Sequence, residues 1–327
     1  MPTARSRPWR VIVSALAGRR RKVRRFFIGI VTLVLAIQIG APSASADPGR
    51  DTSGLNRDIP LPPAMAAILA QKRQLATEFA QVRSGLADRA AFETHFATFL
   101  SSLGEDPSRA IGVAKNSSAL SGGKLASLLA YPTAMYLNVT QDSQATNFYC
   151  GPAAGYALLG FLGPSTSAYS DQLSLSQGSL ATNNYFETDY WGETPLTGGL
   201  KAFPVPQALN RWRQGTDAGY YEAVTWGAVN TATFINDLQI DIYAGFPLLG
   251  NVSEVNGSPH LVGHPLDQNI LHWMAIYGYS SNGDNTSYAD SVAGTTFWYW
   301  SGDVPAYSGY TTSTLVTSML AGMGYVW

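Results

Sequence analysis

The sequence has little of two residue classes that shape most proteins: cysteine and charged residues. Cys150 is the only cysteine in 327 residues, so the chain can form no internal disulfide. Charged residues make up 13% of the chain, which is low for a cytosolic enzyme and suits an extracellular globular protein. A lone thiol in such a protein is either a small buried hydrophobe or a reactive group.

Long hydrophobic runs are also scarce, and the longest stands at the N-terminus. Residues 26–39 are apolar but fewer than the roughly 20 residues that span a bilayer. Basic residues precede this run and Ala44-Ser45-Ala46 follows it, which predicts a secretory signal peptide at residues 1–46 rather than an uncleaved membrane anchor. Arg24-Arg25 fits a twin-arginine signal, so export through the Sec or twin-arginine route to the extracellular space is expected.

Basic residues become few once the signal is removed. Nine of the 21 Lys and Arg lie in the signal, so 21 − 9 = 12 remain against 22 Asp and Glu, a net charge of −10. Nucleic acids and anionic membranes select for basic surfaces. We therefore expect no nucleic-acid partner and no stable membrane insertion after cleavage. We also expect no metal or other cofactor, and a monomer.

Residues 47–130 are predicted to form an N-terminal helical extension. Apolar residues at helical spacing predict an amphipathic helix over residues 63–83 and a second helix over residues 88–103. A Gly- and Ser-rich linker with a short helix at residues 124–130 then leads to the main domain, residues 131–327. The extension could be a removable pro-segment, a packing arm or a separate module.

Cys150 stands at the start of a predicted helix. Gly151 and Pro152 follow it, and then an apolar run reaches Phe161, which indicates a buried helix with proline in its first turn. Free N–H groups and the positive end of the helix dipole stabilise a thiolate at that position. The pattern suits a nucleophile, and an inert buried thiol is the alternative.

A histidine and a carboxylate flank a predicted hairpin downstream. Residues 271–279 form an apolar strand with His272 near its start, Asn282-Gly283 is a turn signal, and residues 286–291 form the returning strand. His272 and Asp290 are placed symmetrically about position 281, which predicts cross-strand neighbours. A carboxylate beside an imidazole fixes its tautomer, although a core histidine bonded to backbone is the alternative.

The remaining segments carry weaker signals. A helix is predicted from Pro206, another over residues 231–244, a buried strand over residues 246–252, and a polar loop over residues 173–190. His260, His264 and Asp267 lie in a proline-containing loop, which is weak evidence for a metal site. We interpret this loop as an edge of the cleft.

QATNFYCGPAA, LHWMAIYGY and the Asp290 segment together resemble papain-like cysteine peptidases of the double-glycine leader peptidase-like family, in its free-standing secreted actinobacterial form. The resemblance runs from about residue 145 to the C-terminus. It implies an α+β papain-like fold with the nucleophile helix packed on an antiparallel sheet. The chain departs from the family at Tyr149, where leader-trimming enzymes usually carry an acidic residue.

The resemblance also implies a role for each motif residue. Cys150 would be the nucleophile, His272 the general base and acid, Asp290 the orienting acid, and Gln144, six residues before the cysteine, the side-chain donor to the oxyanion. The residues expected to bind substrate are Tyr149, Gly151, His264 and Trp273.

These observations predict a secreted cysteine peptidase-like hydrolase that acts on a peptide or cell-wall peptide substrate. Two alternatives stay open. One is a catalytically inactive secreted binding protein on the same scaffold, because the chain has 17 Tyr and 8 Trp. The other is a cell-wall amidase or acyl transferase, because one fold can support several reactions of the same chemistry.

Overall fold

A computed structural model describes residues 55–111, 131–163 and 175–327. The predicted signal peptide and the predicted helix at residues 124–130 lie outside these ranges. The described residues belong to one compact unit. None of their helices combines the length and the apolarity needed to cross a bilayer.

Antiparallel strands form the centre of the fold. The described part of the chain contains a seven-stranded sheet in the order β2-β7-β3-β4-β5-β6, with β1 paired to the far end of β4. The strands are β1 (Met135–Tyr136), β2 (Ala223–Thr225), β3 (Leu248–Glu254), β4 (Ile270–Ser280), β5 (Asn285–Ala289), β6 (Tyr307–Thr311) and β7 (Gly324–Val326). Strand β4 is long and mostly buried, and it pairs with β1, β3 and β5.

Helices surround this sheet. They are α1 (Pro63–Arg83), α2 (Arg89–Ser102), α3 (Cys150–Leu162), α4 (Gln177–Ala181), α5 (Thr188–Trp191), α6 (Pro204–Gln214), α7 (Thr231–Ala244) and α8 (Thr312–Leu315). Helix α3 packs against β4. It is apolar almost all round because nearly every side of it is buried. A Cβ at Gly155 would lie 2.5 Å from the Phe186 ring, so only glycine permits this close packing.

The longer predicted elements are confirmed, and short ones differ. Helices α1 and α7 have the predicted bounds, and Gly245, with φ of 79°, ends α7. The predicted loop at residues 173–190 is wrong in part, since it contains α4 and most of α5. Helix α4 is only five residues long and depends on a capping box at Ser176, which periodicity cannot detect.

The N-terminal helices share their interior with the rest of the unit. Lys72 of α1 is buried, and its Nζ lies 3.2 Å from Asp241 Oδ2 of α7 and 3.2 Å from the Tyr220 carbonyl oxygen. The same Nζ lies 3.8 Å from the centre of the Tyr220 ring and 4.2 Å from that of Trp327. Helix α1 therefore supplies a cation to the core. The alternative that the N-terminal extension is a removable pro-segment stays a prediction.

Replacing Lys72 by methionine should destabilise the protein by roughly 3–5 kcal/mol, because the Asp241 carboxylate would stay buried without its cation. Urea unfolding of the purified mature chain measures this. The double variant Lys72→Met/Asp241→Asn is the control and should lose less than Lys72→Met alone. An unchanged unfolding midpoint for Lys72→Met would show that the pair of Lys72 and Asp241 adds nothing to the stability of the fold.

Candidate active site

Three sequence-distant residues meet at one end of the sheet. Cys150 is the first residue of α3, His272 is the third residue of β4, and Asp290 follows the last residue of β5. Helix α3 lies on β4, and β5 pairs with β4, so these elements bring the three side chains together. Cys150 is half-buried and lines a cleft, whereas His272 and Asp290 are buried.

Cys150 lies where a helix leaves its backbone donors free. The preceding residue, Tyr149, caps the helix without a side-chain hydrogen bond, and the first intrahelical bond runs from Ala153 N–H to the Tyr149 carbonyl. The Cys150 N–H is therefore one of the donors for which a helix supplies no acceptor. The thiol lies close enough to His272 to raise the pKa of its imidazole.

His272 and Asp290 form a buried ion pair. His272 Nε2 lies 3.0 Å from Asp290 Oδ1. The N–H is not well aligned with the oxygen, so we treat the contact as electrostatic rather than as a good hydrogen bond. Burial alone would lower the pKa of His272, but Asp290 and Cys150 raise it well above its ordinary value. The imidazole is therefore held in its protonated form.

The pairing of β4 with β5 differs from the predicted register. Ala275 lies opposite Ala289, and a bulge follows between Ile276 and Gly278. Continuing this register places Asp290 opposite Met274 instead of His272, so the predicted direct pairing is wrong by two residues. His272 and Met274 project from the same face, which explains why the contact still forms diagonally.

His264 occupies a different place from the one predicted. Its side chain has 0% exposure and is held between two carboxylates, with Nδ1 2.9 Å from Glu254 Oε2 and Nε2 3.2 Å from Asp290 Oδ2. Its ring packs 4.8 Å from that of Trp300. The expectation that His264 edges the cleft and contacts substrate is wrong, because the two acids draw the imidazole inward.

Glu254, which ends β3, is a site residue that was not predicted, and it completes a chain of charged groups. Glu254 contacts His264, which contacts Asp290, which contacts His272. Burial alone would lower the pKa of His264, but Asp290 and Glu254 raise it. Burial alone would raise the pKa of Asp290, but His272 and His264 hold it well below its ordinary value. The only sequence signal for Glu254 was an acid at the end of a buried strand.

Among the described residues, one group has the spacing of metal ligands. Donor atoms of His264, His272 and Asp290 lie within 4.8 Å of one another. An ion there would compete with the contacts that Asp290 already makes to both histidines. His260 does not join this group, since its ring nitrogens lie 2.8 Å from the carbonyl oxygens of Ser258 and Gln268.

Gln144 is fixed beside the cysteine in the cleft lining. Its Nε2 donates to the Thr146 carbonyl oxygen at 2.8 Å, and its Oε1 accepts from Ser291 Oγ at 3.1 Å. Its backbone N–H donates to the Ser291 carbonyl at 2.9 Å. These contacts fix the orientation of the amide and leave its second N–H for another acceptor.

The other predicted substrate residues divide into two groups. Trp273 lines the cleft, and its Nε1 donates to the Thr194 carbonyl at 2.9 Å. Tyr149 and Gly151 are not part of the cleft lining. Tyr149 instead donates to Asp189 Oδ1 at 2.5 Å. Gly151 is buried under Thr194, whose Oγ1 would lie 2.2 Å from a Cβ at that position.

The cleft that contains Cys150 has a volume of about 580 Å³. His272 and Gln144 also line it. Its aromatic walls are formed by Phe148, Trp273, Trp298 and Trp300. The space is large enough for a few residues of an extended substrate, and the thiol lies on its surface.

A thiol at a helix start beside the imidazole of a sheet strand, on an α+β fold, defines a cysteine peptidase-like hydrolase. Residues 136–306 match the Peptidase_C39 like family. This is more than half of the chain, which therefore belongs to that family, and its fold is papain-like. The matched range includes α3, β4 and β5 but ends before β6, and helices α1 and α2 lie outside it.

Among solved structures, the chain is similar to xylellain, a cysteine protease from Xylella fastidiosa. The two are 13% identical, with a TM-score of 0.33, over 63% of this chain and 89% of xylellain. No curated protein matches the chain.

Asp290→Asn should slow alkylation of Cys150 by iodoacetamide at pH 6–7 by about tenfold or more. The reason is that removing a buried counter-charge costs more than about 1.4 kcal/mol, which corresponds to a factor of ten. The sign follows from the raised pKa of His272: with Asp290 present the imidazolium persists as the pH rises past 6.5, whereas in the variant it loses its proton at lower pH. Stopped-flow or mass-spectrometric labelling measures the rates. Equal rates in both proteins would contradict the ion-pair arrangement.

His264→Leu should also slow this labelling, because Asp290 would lose one of its two imidazole neighbours. His264→Gln should lose less, since an amide can still donate to Asp290. Circular dichroism of both variants provides the folding control. If both variants label at the wild-type rate, His264 contributes only to stability.

Proposed function

We propose that the protein is a secreted hydrolase that cleaves a peptide or amide bond through a Cys150–His272–Asp290 triad, with Gln144 as an oxyanion donor. The observation that carries this proposal is the buried pair of His272 and Asp290, with His272 Nε2 3.0 Å from Asp290 Oδ1, beside the Cys150 thiol, which raises the pKa of His272. The thiol is open to a cleft, as a nucleophile must be.

In this mechanism the thiolate of Cys150 attacks the carbonyl carbon and forms a C–S bond while the C=O π bond opens. The oxyanion accepts hydrogen bonds from the Cys150 N–H and the Gln144 amide. His272 gives its proton to the leaving amine as the C–N bond breaks, which leaves a thioester. His272 then takes a proton from water, which attacks the thioester and releases the acid and the thiol.

Asp290 acts through His272 in this scheme. Its two neighbouring histidines keep the carboxylate ionised, so it stabilises the imidazolium and fixes the orientation of the ring. Gln144 is held by Thr146 and Ser291, so its remaining N–H can be pre-positioned for the developing charge. Pre-positioned donors stabilise a transition state more than mobile ones.

Secretion and substrate are part of the same proposal. The basic segment, the apolar run and the Ala44-Ser45-Ala46 sequence support export with cleavage after Ala46. Cell-wall peptides are then available as substrates. Because Tyr149 replaces the acid usual in leader-trimming enzymes, we propose substrates other than double-glycine leaders.

Cys150→Ala should abolish turnover of every substrate found by screening the mature chain against labelled peptides and cell-wall fragments, because no other cysteine can form the thioester. Release of labelled fragments is measured by mass spectrometry. A protein that binds a fragment equally well with and without Cys150, and cleaves none, would instead be the inactive binding protein.

Gln144→Ala should lower kcat by about 10²–10³-fold, the usual cost of one oxyanion donor. Alkylation of Cys150 should change little, because it develops no oxyanion. Gln144→Glu is the matched control: it can still accept from Ser291 and should lower kcat through its negative charge. A kcat within threefold of wild type in Gln144→Ala would exclude the oxyanion role.

A further inference from the structure

The cleft contains a carboxylate that the triad does not use. Glu193 lines the same space as Cys150 and His272. It follows Gly192, which ends α5 in the left-handed region with φ of 73°. This turn places Glu193 on the connection between α5 and the segment that passes over the start of α3.

The residue after Glu193 is fixed by contacts to both sides of the active site. The Thr194 carbonyl accepts from Trp273 Nε1 at 2.9 Å, and Trp273 adjoins the catalytic histidine. The Thr194 side chain packs against Gly151, which adjoins the nucleophile, and its Oγ1 lies 2.7 Å from Thr188 Oγ1. Glu193 is therefore attached to a segment that is fixed to both helix α3 and strand β4, and its position needs little ordering when substrate binds.

The described lining of the cleft includes no lysine or arginine. Its one histidine, His272, is already paired with Asp290, so the lining has no cation left to neutralise Glu193. Its second carboxylate, Glu254, already pairs with His264 and accepts from the Leu261 N–H at 3.3 Å. Glu193 is partly buried, and this desolvation raises its pKa without any compensating ion pair.

Aromatic faces surround the same space. The rings of Trp298 and Trp300 stack with their centres 5.2 Å apart, and both line the cleft together with Phe148 and Trp273. Aromatic faces attract ammonium and guanidinium groups, and such attraction strengthens in a site with little water. A carboxylate with aromatic walls is the chemistry that recognises an organic cation.

We propose that Glu193 forms a cation subsite, which binds an ammonium or guanidinium group of the substrate close to the bond that is cleaved. A lysine or arginine side chain, the side-chain amine of a cell-wall diamino acid, or a free α-amino group all have this chemistry. The role of this subsite in substrate binding rests on the proposed function. The preference of the cleft for a positively charged reagent can be measured without turnover.

Charged thiol reagents provide the direct test. The Cys150 thiolate attacks the sulfenyl sulfur of a methanethiosulfonate, which forms a mixed disulfide and releases methanesulfinate. Rate constants are measured for the aminoethyl cation, the sulfonatoethyl anion and the neutral methyl reagent, by mass spectrometry of the intact chain. Because Cys150 is the only cysteine, every adduct reports this site.

In Glu193→Gln the ratio of cation to anion rates, each normalised to the neutral reagent, should fall about tenfold relative to wild type. Glu78→Gln is the matched control, since Glu78 pairs with His95 on α1 and α2 and does not line the cleft; its ratio should equal that of wild type. A ratio that is unchanged in Glu193→Gln overturns the proposal.

Peptide substrates separate this inference from the proposed hydrolase function. Matched peptides carry lysine or norleucine at each position beside the scissile bond. Glu193→Gln should remove most of the preference for lysine in kcat/KM, whereas Glu193→Lys should reverse it in favour of glutamate. Failure to cleave any substrate, with a reduced labelling ratio in Glu193→Gln, would reject the hydrolase and retain the subsite. Cleavage with no preference for lysine would retain the hydrolase and reject the subsite.

Discussion

The carboxylate of Asp290 is buried and is shared by two imidazoles, and the geometry of the site depends on this sharing. One oxygen lies 3.0 Å from His272 and the other 3.2 Å from His264. A buried carboxylate without a counter-charge would take up a proton and would no longer attract the His272 imidazolium. The two histidines keep it ionised, and Glu254 contacts the other ring nitrogen of His264.

The sheet makes that arrangement possible because it contributes a group from each of several strands. His272 comes from β4, Glu254 from the end of β3, and Asp290 from the end of β5. Hydrogen bonds between these strands fix the register, and so the positions of these side chains relative to one another along the sheet. Helix α3, which begins at Cys150, packs on the same sheet. The thiol and the imidazole are therefore brought together by the fold before any substrate binds.

The same physical rule operates a second time far from the cleft. Lys72 brings a cation from the N-terminal extension to buried Asp241 of α7. Burial lowers the pKa of this lysine and raises that of the aspartate, so each charge persists because of the other. Glu193 is the contrasting case. It is a cleft carboxylate without a partner in the described chain, which makes it the natural site for a charge supplied from outside.

Local patterns were sufficient for much of this structure. The helix that begins at Cys150, the strand with His272 and helices α1 and α7 follow from apolar spacing and terminal signals within short windows. The family resemblance led to the residues Cys150, His272, Asp290 and Gln144, whose roles stay predictions. These features lie within single elements or within motifs, so the sequence alone could predict them.

Other features depend on contacts between distant segments. The hairpin turns later in the chain than predicted and β4 has a bulge, so the strand register differs from the predicted one by two residues, and only the paired strands could show it. His264 lies in the interior and not at the predicted edge of the cleft, because Glu254 and Asp290, from the ends of two strands, both contact it there. The sequence by itself determined which residue types could react. Tertiary structure decided which charges are buried together, because charge pairing depends on distance in space, which one-dimensional spacing does not fix.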